Sequence, residues 1–191
     1  MTELILTFAL TYLIGSISFA YIAGRMKGLD LRKEGSGTLG ARNVKRVIGE
    51  KAASAVLLLD LVKGAGAVYL AGLISESAQA SMTGWLGVIC GHGWPIFLRF
   101  KGGKGLASSV GALLLISPFI LASELALGGI LLLSGRQVYL SASLMAASLP
   151  LFVYRFGKPE TFVISIVISA VILILHRKNI MDLIEKWKGE R

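Results

Sequence analysis

The sequence predicts an all-α, polytopic membrane bundle of seven transmembrane helices, with the N-terminus outside and the C-terminus cytoplasmic. Three observations carry that expectation. The 191 residues are 54% hydrophobic and 16% charged, with a mean hydropathy of +0.73, whereas soluble domains carry about a quarter charged residues. The apolar residues are gathered in long stretches, each near the roughly 20 residues that cross a bilayer. Finally, 17 of the 20 Lys and Arg residues lie in alternate connecting segments.

The first apolar stretch runs from Leu4 to Gly24. Glu3 precedes it and the basic residues follow it, the reverse of a secretory leader, so it reads as a retained span. The second runs from Ala52 to Ile74 and contains Asp60 and Lys63, three apart and hence on one helical face. A lone charge in lipid costs at least about 2.5 kcal/mol, so the two should pair or face a polar cavity; Gly64 and Gly66 allow close helix approach. The third spans Met82 to Leu98 and holds the single cysteine, Cys90, which excludes an internal disulfide and a Cys-based zinc site.

Leu106 to Gly135 is too long for one span: 30 residues at about 1.5 Å each reach roughly 45 Å, against a hydrocarbon core of about 30 Å. Ser117-Pro118 divides it into spans near 106–116 and 119–134, since proline ends or starts a helix. Glu124, in the fifth span, snorkels, is protonated or faces the bundle interior. The sixth span covers Val138 to Tyr154 and the seventh Thr161 to Leu175. Beyond it, Ile180, Leu183, Ile184 and Trp187 recur at helical spacing, so Asn179 to Arg191 reads as a short interfacial amphipathic helix. Seven spans place segments 25–51, 97–105, 134–137 and the tail 176–191 inside, with 8, 3, 1 and 5 basic residues, as the positive-inside rule requires. Six would strand the tail's five outside. These inner segments form one active face on a single domain, 1–191.

The net charge of +9 calls for anionic partners. In so apolar a chain these are anionic lipids or an anionic substrate rather than nucleic acid. Two inner segments are rich in glycine as well as in cations. Gly35-Ser-Gly-Thr-Leu-Gly-Ala-Arg-Asn-Val-Lys-Arg46 spells GxGxxG, but a charged segment precedes it where the dinucleotide motif needs a strand. Its glycines would still let backbone N–H groups converge on an anion. Ser36 and Gly37 would line that turn, while Thr38, Arg42, Asn43 and Arg46 would add donors. The second segment, Gly91-His-Gly-Trp-Pro-Ile-Phe-Leu-Arg-Phe-Lys-Gly-Gly-Lys-Gly105, lacks Walker spacing. It still offers Lys101, Gly102, Gly103 and Lys104 to a phosphate. The first loop alone is equally well read as a flexible, lipid-hugging basic segment, and the second has the alternative of a basic turn obeying the charge bias. His92, His176 and Asn179 add groups able to move a proton or hold a ligand, and Ser141 and Ser143 lie just inside the sixth span. The chain shows no metal-ligand spacing, no His-x₄-Asp signature, no convincing Ser-His-acid triad and no cofactor motif.

The run Gly35 to Arg46, Asp60-Leu-Val-Lys-Gly64, Gly91 to Gly105 and His176-Arg-Lys-Asn-Ile180 together resemble the bacterial acyl-phosphate:glycerol-3-phosphate acyltransferase family, in order and over the whole chain. Gly-His-x-x-Pro…Phe-Lys-Gly-Gly-Lys-Gly is the most specific element. Thr38 stands where the family often has Asn, and Arg42 where Thr is common. The resemblance implies a multi-pass enzyme of the bacterial cytoplasmic (inner) membrane, active site facing the cytoplasm. It would move a fatty acyl group from acyl phosphate to the 1-hydroxyl of glycerol 3-phosphate, giving lysophosphatidic acid and phosphate without metal or cofactor. Lys104, His176, His92 and Arg46 would be its catalytic residues. Ser36, Gly37, Asn43, Arg46, Lys101, Gly102, Gly103, Lys104, Ser141 and Asn179 would bind substrate. The competing reading is an organophosphate or phosphate transporter, which would share the basic loops and the Asp60/Lys63 pair. A non-catalytic scaffold for anionic lipid would need no glycine-rich loops.

Overall fold

The structure, a computed structural model, describes residues 1–189, apart from the side chains of residues 184 and 186–189. Among the described residues it is all-helical and divides into two compact units, residues 1–116 and the chain from Ser117 onward. Four of its segments are long and apolar enough to cross a membrane: Thr2–Arg25, Glu50–Ile74, Val138–Phe156 and Pro159–Leu183.

The first unit contains α1 (Thr2–Gly15), α2 (Phe19–Arg25), α3 (Ala41–Val47), α4 (Glu50–Ile74), α5 (Ala78–Gly93) and α6 (Leu106–Ile116). The apolar stretch expected to be one helix is therefore broken between α1 and α2. Serines cause the break. Ser16 Oγ donates to the Tyr12 carbonyl (2.9 Å), and Ser18 Oγ accepts from the Tyr21 N–H (3.2 Å), capping α2. The carbonyls of Gly15 and Ile17, released from the helix, accept instead from Lys63 Nζ on α4, at 3.2 and 2.8 Å. In the lipid core a freed backbone group must find a protein partner; a buried ammonium provides it.

Helices α4 and α6 cross backbone to backbone. A Cβ on Gly64 would run into the Ser108 carbonyl, and one on Gly111 into the Leu61 carbonyl. Small residues at a crossing allow this approach. Gly64→Val is therefore expected to separate the two helices and lower the melting temperature in detergent. Gly66→Val, where nothing lies within 4 Å, should leave it near wild type; equal melting of the two variants would show that the crossing does not depend on Gly64.

The segment between α2 and α4 is a packed subdomain. Leu31, Leu39 and Val44 are completely or almost completely buried and share a core with Ala20, Ala53, Val56 and Leu98. The flexible-loop alternative is thereby set aside. Leu98 also corrects the third span. It was expected to end there, but α5 stops at Gly93 because Trp94, before Pro95, leaves helical geometry (φ −128°, ψ 67°). The apolar Ile96–Leu98 turn that follows serves the loop core.

The second unit contains α7 (Pro118–Leu133), α8 (Val138–Phe156) and α9 (Phe162–Gly189). The break at Ser117-Pro118 is observed, with Ser117 Oγ capping α7 at Ile120 N–H (3.3 Å) and proline in the first turn. Pro150 lies inside α8 and cannot donate to the carbonyl of Ala146. Ser169 Oγ of α9 donates to that carbonyl instead, at 2.6 Å. Glu124 is buried on α7, where Ser148 Oγ of α8 donates to both its oxygens at 3.3 Å. The tail expected as a separate helix from Asn179 continues α9 without a break; Ile184 and Trp187 of its apolar stripe have side chains outside the described residues.

Candidate functional site

Asn43 organises the first glycine-rich loop. It is 2% exposed. Its Oδ1 accepts from the Ser36 N–H (2.8 Å), and its Nδ2 donates to the carbonyls of Leu31 (3.2 Å) and Glu34 (3.0 Å). Both amide hydrogens are thus used, and the expected direct donation from Asn43 to a substrate phosphate is replaced by a positioning role. Gly35, in the left-handed region (φ +59°), abuts Oδ1 so closely that a Cβ would collide with it. Ser36 and Thr38 hydroxyls meet at 2.9 Å on the exposed rim, and Arg42 and Arg46 are exposed on α3. Asn43→Ala would orphan three backbone groups, each costing about 1–3 kcal/mol where buried. Trypsin should then cut within 31–47 much faster than in wild type; unchanged cleavage would mean that the loop is held by other contacts.

Not all cations here are open to a ligand. Arg32 forms a two-pronged bond to Asp30 (2.9 and 2.7 Å) and lies over the Tyr21 ring. That hydrogen bond holds the Asp30 carboxyl well below the usual carboxylate range. Lys45 pairs with Glu50 at 2.7 Å.

The second loop is tied down at both ends. Tyr12 Oη donates to the Trp94 carbonyl (2.7 Å), and the Gly103 N–H donates to the His92 carbonyl (3.0 Å). Between them Arg99 and Phe100 both have left-handed backbones (φ 54° and 60°), uncommon for side-chain-bearing residues. The two loops are joined. Leu39 N–H donates to the Gly102 carbonyl at 3.4 Å, and Leu39 and Leu98 share one core. A Cβ at Gly103 would strike both His92 Nε2 and the Leu39 carbonyl, so glycine is needed where the loops and the histidine meet. Ser36, Gly37, Asn43, His92, Gly102 and Gly103 thus belong to one connected structure. Lys101 is exposed on it and Lys104 is half-buried.

Beneath the loops sits a buried polar cluster. Lys63 Nζ lies 3.0 Å from Asp60 Oδ1 and 3.1 Å from His92 Nδ1, besides the two carbonyls of the α1–α2 break. Asp60 Oδ1 is 3.6 Å from His92 Nδ1. The spacing of Asp60 and Lys63 signalled their pairing. Their reach to His92 and to α1 was missed; the Ser16-Ile-Ser18 interruption of the first span is the available clue.

Ser141, His176 and Asn179 lie in the second unit. His176 is completely buried, and its Nδ1 donates to the Ile172 carbonyl of α9 at 2.9 Å. Since a carbonyl can only accept, Nδ1 carries the hydrogen, and in the neutral ring Nε2 keeps its lone pair. Ser141, 2% exposed, donates to the Gln137 carbonyl (3.2 Å); Asn179 is half-buried. Chemically, the first unit offers backbone amides, hydroxyls and cations suited to phosphate. The second offers a buried imidazole whose hydrogen is on Nδ1.

Comparison with known proteins agrees with this chemistry. A family model described as glycerol-3-phosphate acyltransferase matches residues 5–186. The chain is 37% identical over 182 residues to the glycerol-3-phosphate acyltransferase of Thermoanaerobacter sp. (strain X514), covering 94% of this chain and 91% of that one. It is 36% identical to that of Geobacillus kaustophilus over the full length of both. Among solved structures it is similar to PlsY (YgiH), an integral membrane glycerol 3-phosphate acyltransferase. The glycerol 3-phosphate form gives a TM-score of 0.86 at 32% identity, covering 96% of this chain and 92% of that one. The lysophosphatidic acid form gives 0.83 at 34%, with the same coverage.

Proposed function

The chain belongs to the glycerol-3-phosphate acyltransferase family, and from that premise we propose that it transfers a fatty acyl group from acyl phosphate to the 1-hydroxyl of glycerol 3-phosphate at the cytoplasmic face of a bacterial inner membrane. On this reading the chain crosses the bilayer seven times, N-terminus outside. The observation that carries the proposal is the junction of the two glycine-rich loops through Leu39, Gly102, Gly103 and His92.

Acyl phosphate is a mixed anhydride and needs no enzyme nucleophile. The 1-hydroxyl oxygen attacks the acyl carbon, the bond from that carbon to the phosphate oxygen breaks, and inorganic phosphate leaves. The protein's task is to bring two anions together and offset their repulsion. Ser36, Gly37, Arg46, Lys101, Gly102, Gly103 and Lys104 take the phosphate groups; Asn43 holds the loop that presents them. Ser141, His176 and Asn179, in the second unit, are assigned to glycerol 3-phosphate by the family resemblance alone. The hydroxyl proton passes to the departing phosphate. The acyl chain lies between helices, toward lipid.

The test is the purified protein in lipid nanodiscs with glycerol 3-phosphate and either acyl phosphate or acyl-CoA, lysophosphatidic acid being followed by mass spectrometry. Product from acyl phosphate alone supports the reading. Product from acyl-CoA alone overturns the donor, and no product together with counter-flow of labelled phosphate in liposomes overturns the reaction in favour of transport.

A further inference from the structure

The chain has two histidines, and each could in principle take the proton of the attacking hydroxyl. We propose that His92 cannot. The Asp60–Lys63 pair fixes its ring with the hydrogen on Nε2 and packed edge-on against the Gly102–Gly103 turn, so Asp60 and Lys63 are positioning residues for the phosphate loop. The activity readout rests on the acyltransferase reading above; the state of the ring rests on geometry alone.

Lys63 Nζ gives one hydrogen each to Ile17 O at 2.8 Å and Gly15 O at 3.2 Å, while Asp60 Oδ1, at 3.0 Å, is its ion-pair partner outside hydrogen-bond geometry. None of these can donate a hydrogen, and an ammonium has three to give and none to accept. The contact from Nζ to His92 Nδ1 at 3.1 Å is then a donation from lysine, and Nδ1 supplies its lone pair. The hydrogen of the neutral imidazole consequently sits on Nε2. Neither ring nitrogen is left to accept a proton. Protonating Nδ1 would set an imidazolium against the ammonium and evict Lys63 from the carbonyls that close the α1–α2 break. The charged groups against the ring are Asp60 and Lys63, both on α4; α1 contributes the two carbonyls, and the loop contributes Gly103, followed in the chain by Lys104.

The other edge of the ring meets the substrate loop. Nε2 abuts Gly103, and the backbone carbonyl of the same histidine accepts the Gly103 N–H at 3.0 Å. The chain of contacts runs from the broken first span through Lys63 to His92 and the glycine turn. His176 has the opposite tautomer, with Nδ1 donating to Ile172 O. The two imidazoles are therefore distinct tautomers, one with its hydrogen on Nε2 and the other with its hydrogen on Nδ1.

The experiment uses the full chain in nanodiscs with ¹⁵N-labelled histidine, signals being assigned with His92→Gln. The expected result is a His92 ring that stays neutral with hydrogen on Nε2 from about pH 5 to pH 8, the range in which free histidine titrates. In Lys63→Met it should become protonatable. A wild-type His92 ring that titrates in that range, or bears its hydrogen on Nδ1, overturns the proposal. The kinetic arm compares His92→Gln, which keeps most of the side chain packed against Gly103, with His92→Ala. Gln is expected within about tenfold of wild type and Ala, which leaves the turn without its support, about 10²-fold lower, the scale at which a displacement of about 1 Å misaligns reacting groups. The loss should fall mainly in KM for the phosphate-bearing substrates. Equal inactivity of both, seen in kcat, would mark His92 as a proton acceptor and sink the proposal. If wild type transfers no acyl group, the acyltransferase reading fails while the NMR arm still decides the state of the ring.

Discussion

Lys104→Ala is expected to lower acyl transfer by about 10³-fold while leaving the helical fold intact. Two anionic substrates must occupy neighbouring positions, and negative charge grows on the leaving phosphate as the acyl carbon–oxygen bond breaks. A single preorganised donor aimed at developing charge is worth about 10²–10³ in rate. On the proposed reading Lys104 would also offset repulsion between the bound phosphates, which places it at the upper end. It stands at the foot of the glycine turn, half-buried, where the charge is less screened than on the open surface. Initial rates of lysophosphatidic acid formation, set beside melting curves, check the expectation. Turnover near wild type would remove Lys104 from the site.

Gly103→Ala should cost about 10²-fold in kcat/KM, the scale at which a displacement of about 1 Å misaligns reacting groups. The backbone at Gly103 is outside the left-handed region, so alanine can take the same dihedrals. The obstacle is contact: its Cβ meets the His92 ring and the carbonyl of Leu39, and a carbonyl in a packed core cannot swing aside. The turn must move as a whole. Gly105→Ala is the informative companion. Its φ of +75° makes alanine strained, by about 1–2 kcal/mol, but the nearest atom to the added Cβ is 3.5 Å away. If Gly105→Ala proves the more damaging to kcat/KM, backbone freedom rather than the junction of loops governs the site.

Much of this architecture is written in the residues. Ser117-Pro118 marks the division between α6 and α7 because its physical effect is local. Asp60 and Lys63 announce themselves because two charges three apart in an apolar helix must pair or face a polar cavity. Other features depend on distant partners. Ser16 and Ser18 are ordinary in a membrane helix, and they break this one only because Lys63, 46 residues beyond Ile17, receives the freed carbonyls. Pro95-Ile-Phe-Leu98 is as apolar as a span, and its burial beside Leu39 and Val44 cannot be read from hydropathy. Asn43 carries the right chemistry for a phosphate, yet its hydrogens are taken by carbonyls nine and twelve positions away.

The bend between α1 and α2 also constrains how the protein is made. Residues 2–25 leave the ribosome before residue 63 does, so the ammonium that receives the Gly15 and Ile17 carbonyls is still out of reach when this segment first partitions into lipid. The straight helix, which satisfies its own carbonyls, is the lower-energy form at that moment. The kink is thus acquired late, when α4 arrives, and the enzyme's first hydrophobic segment is remodelled inside the bilayer by a residue translated after it.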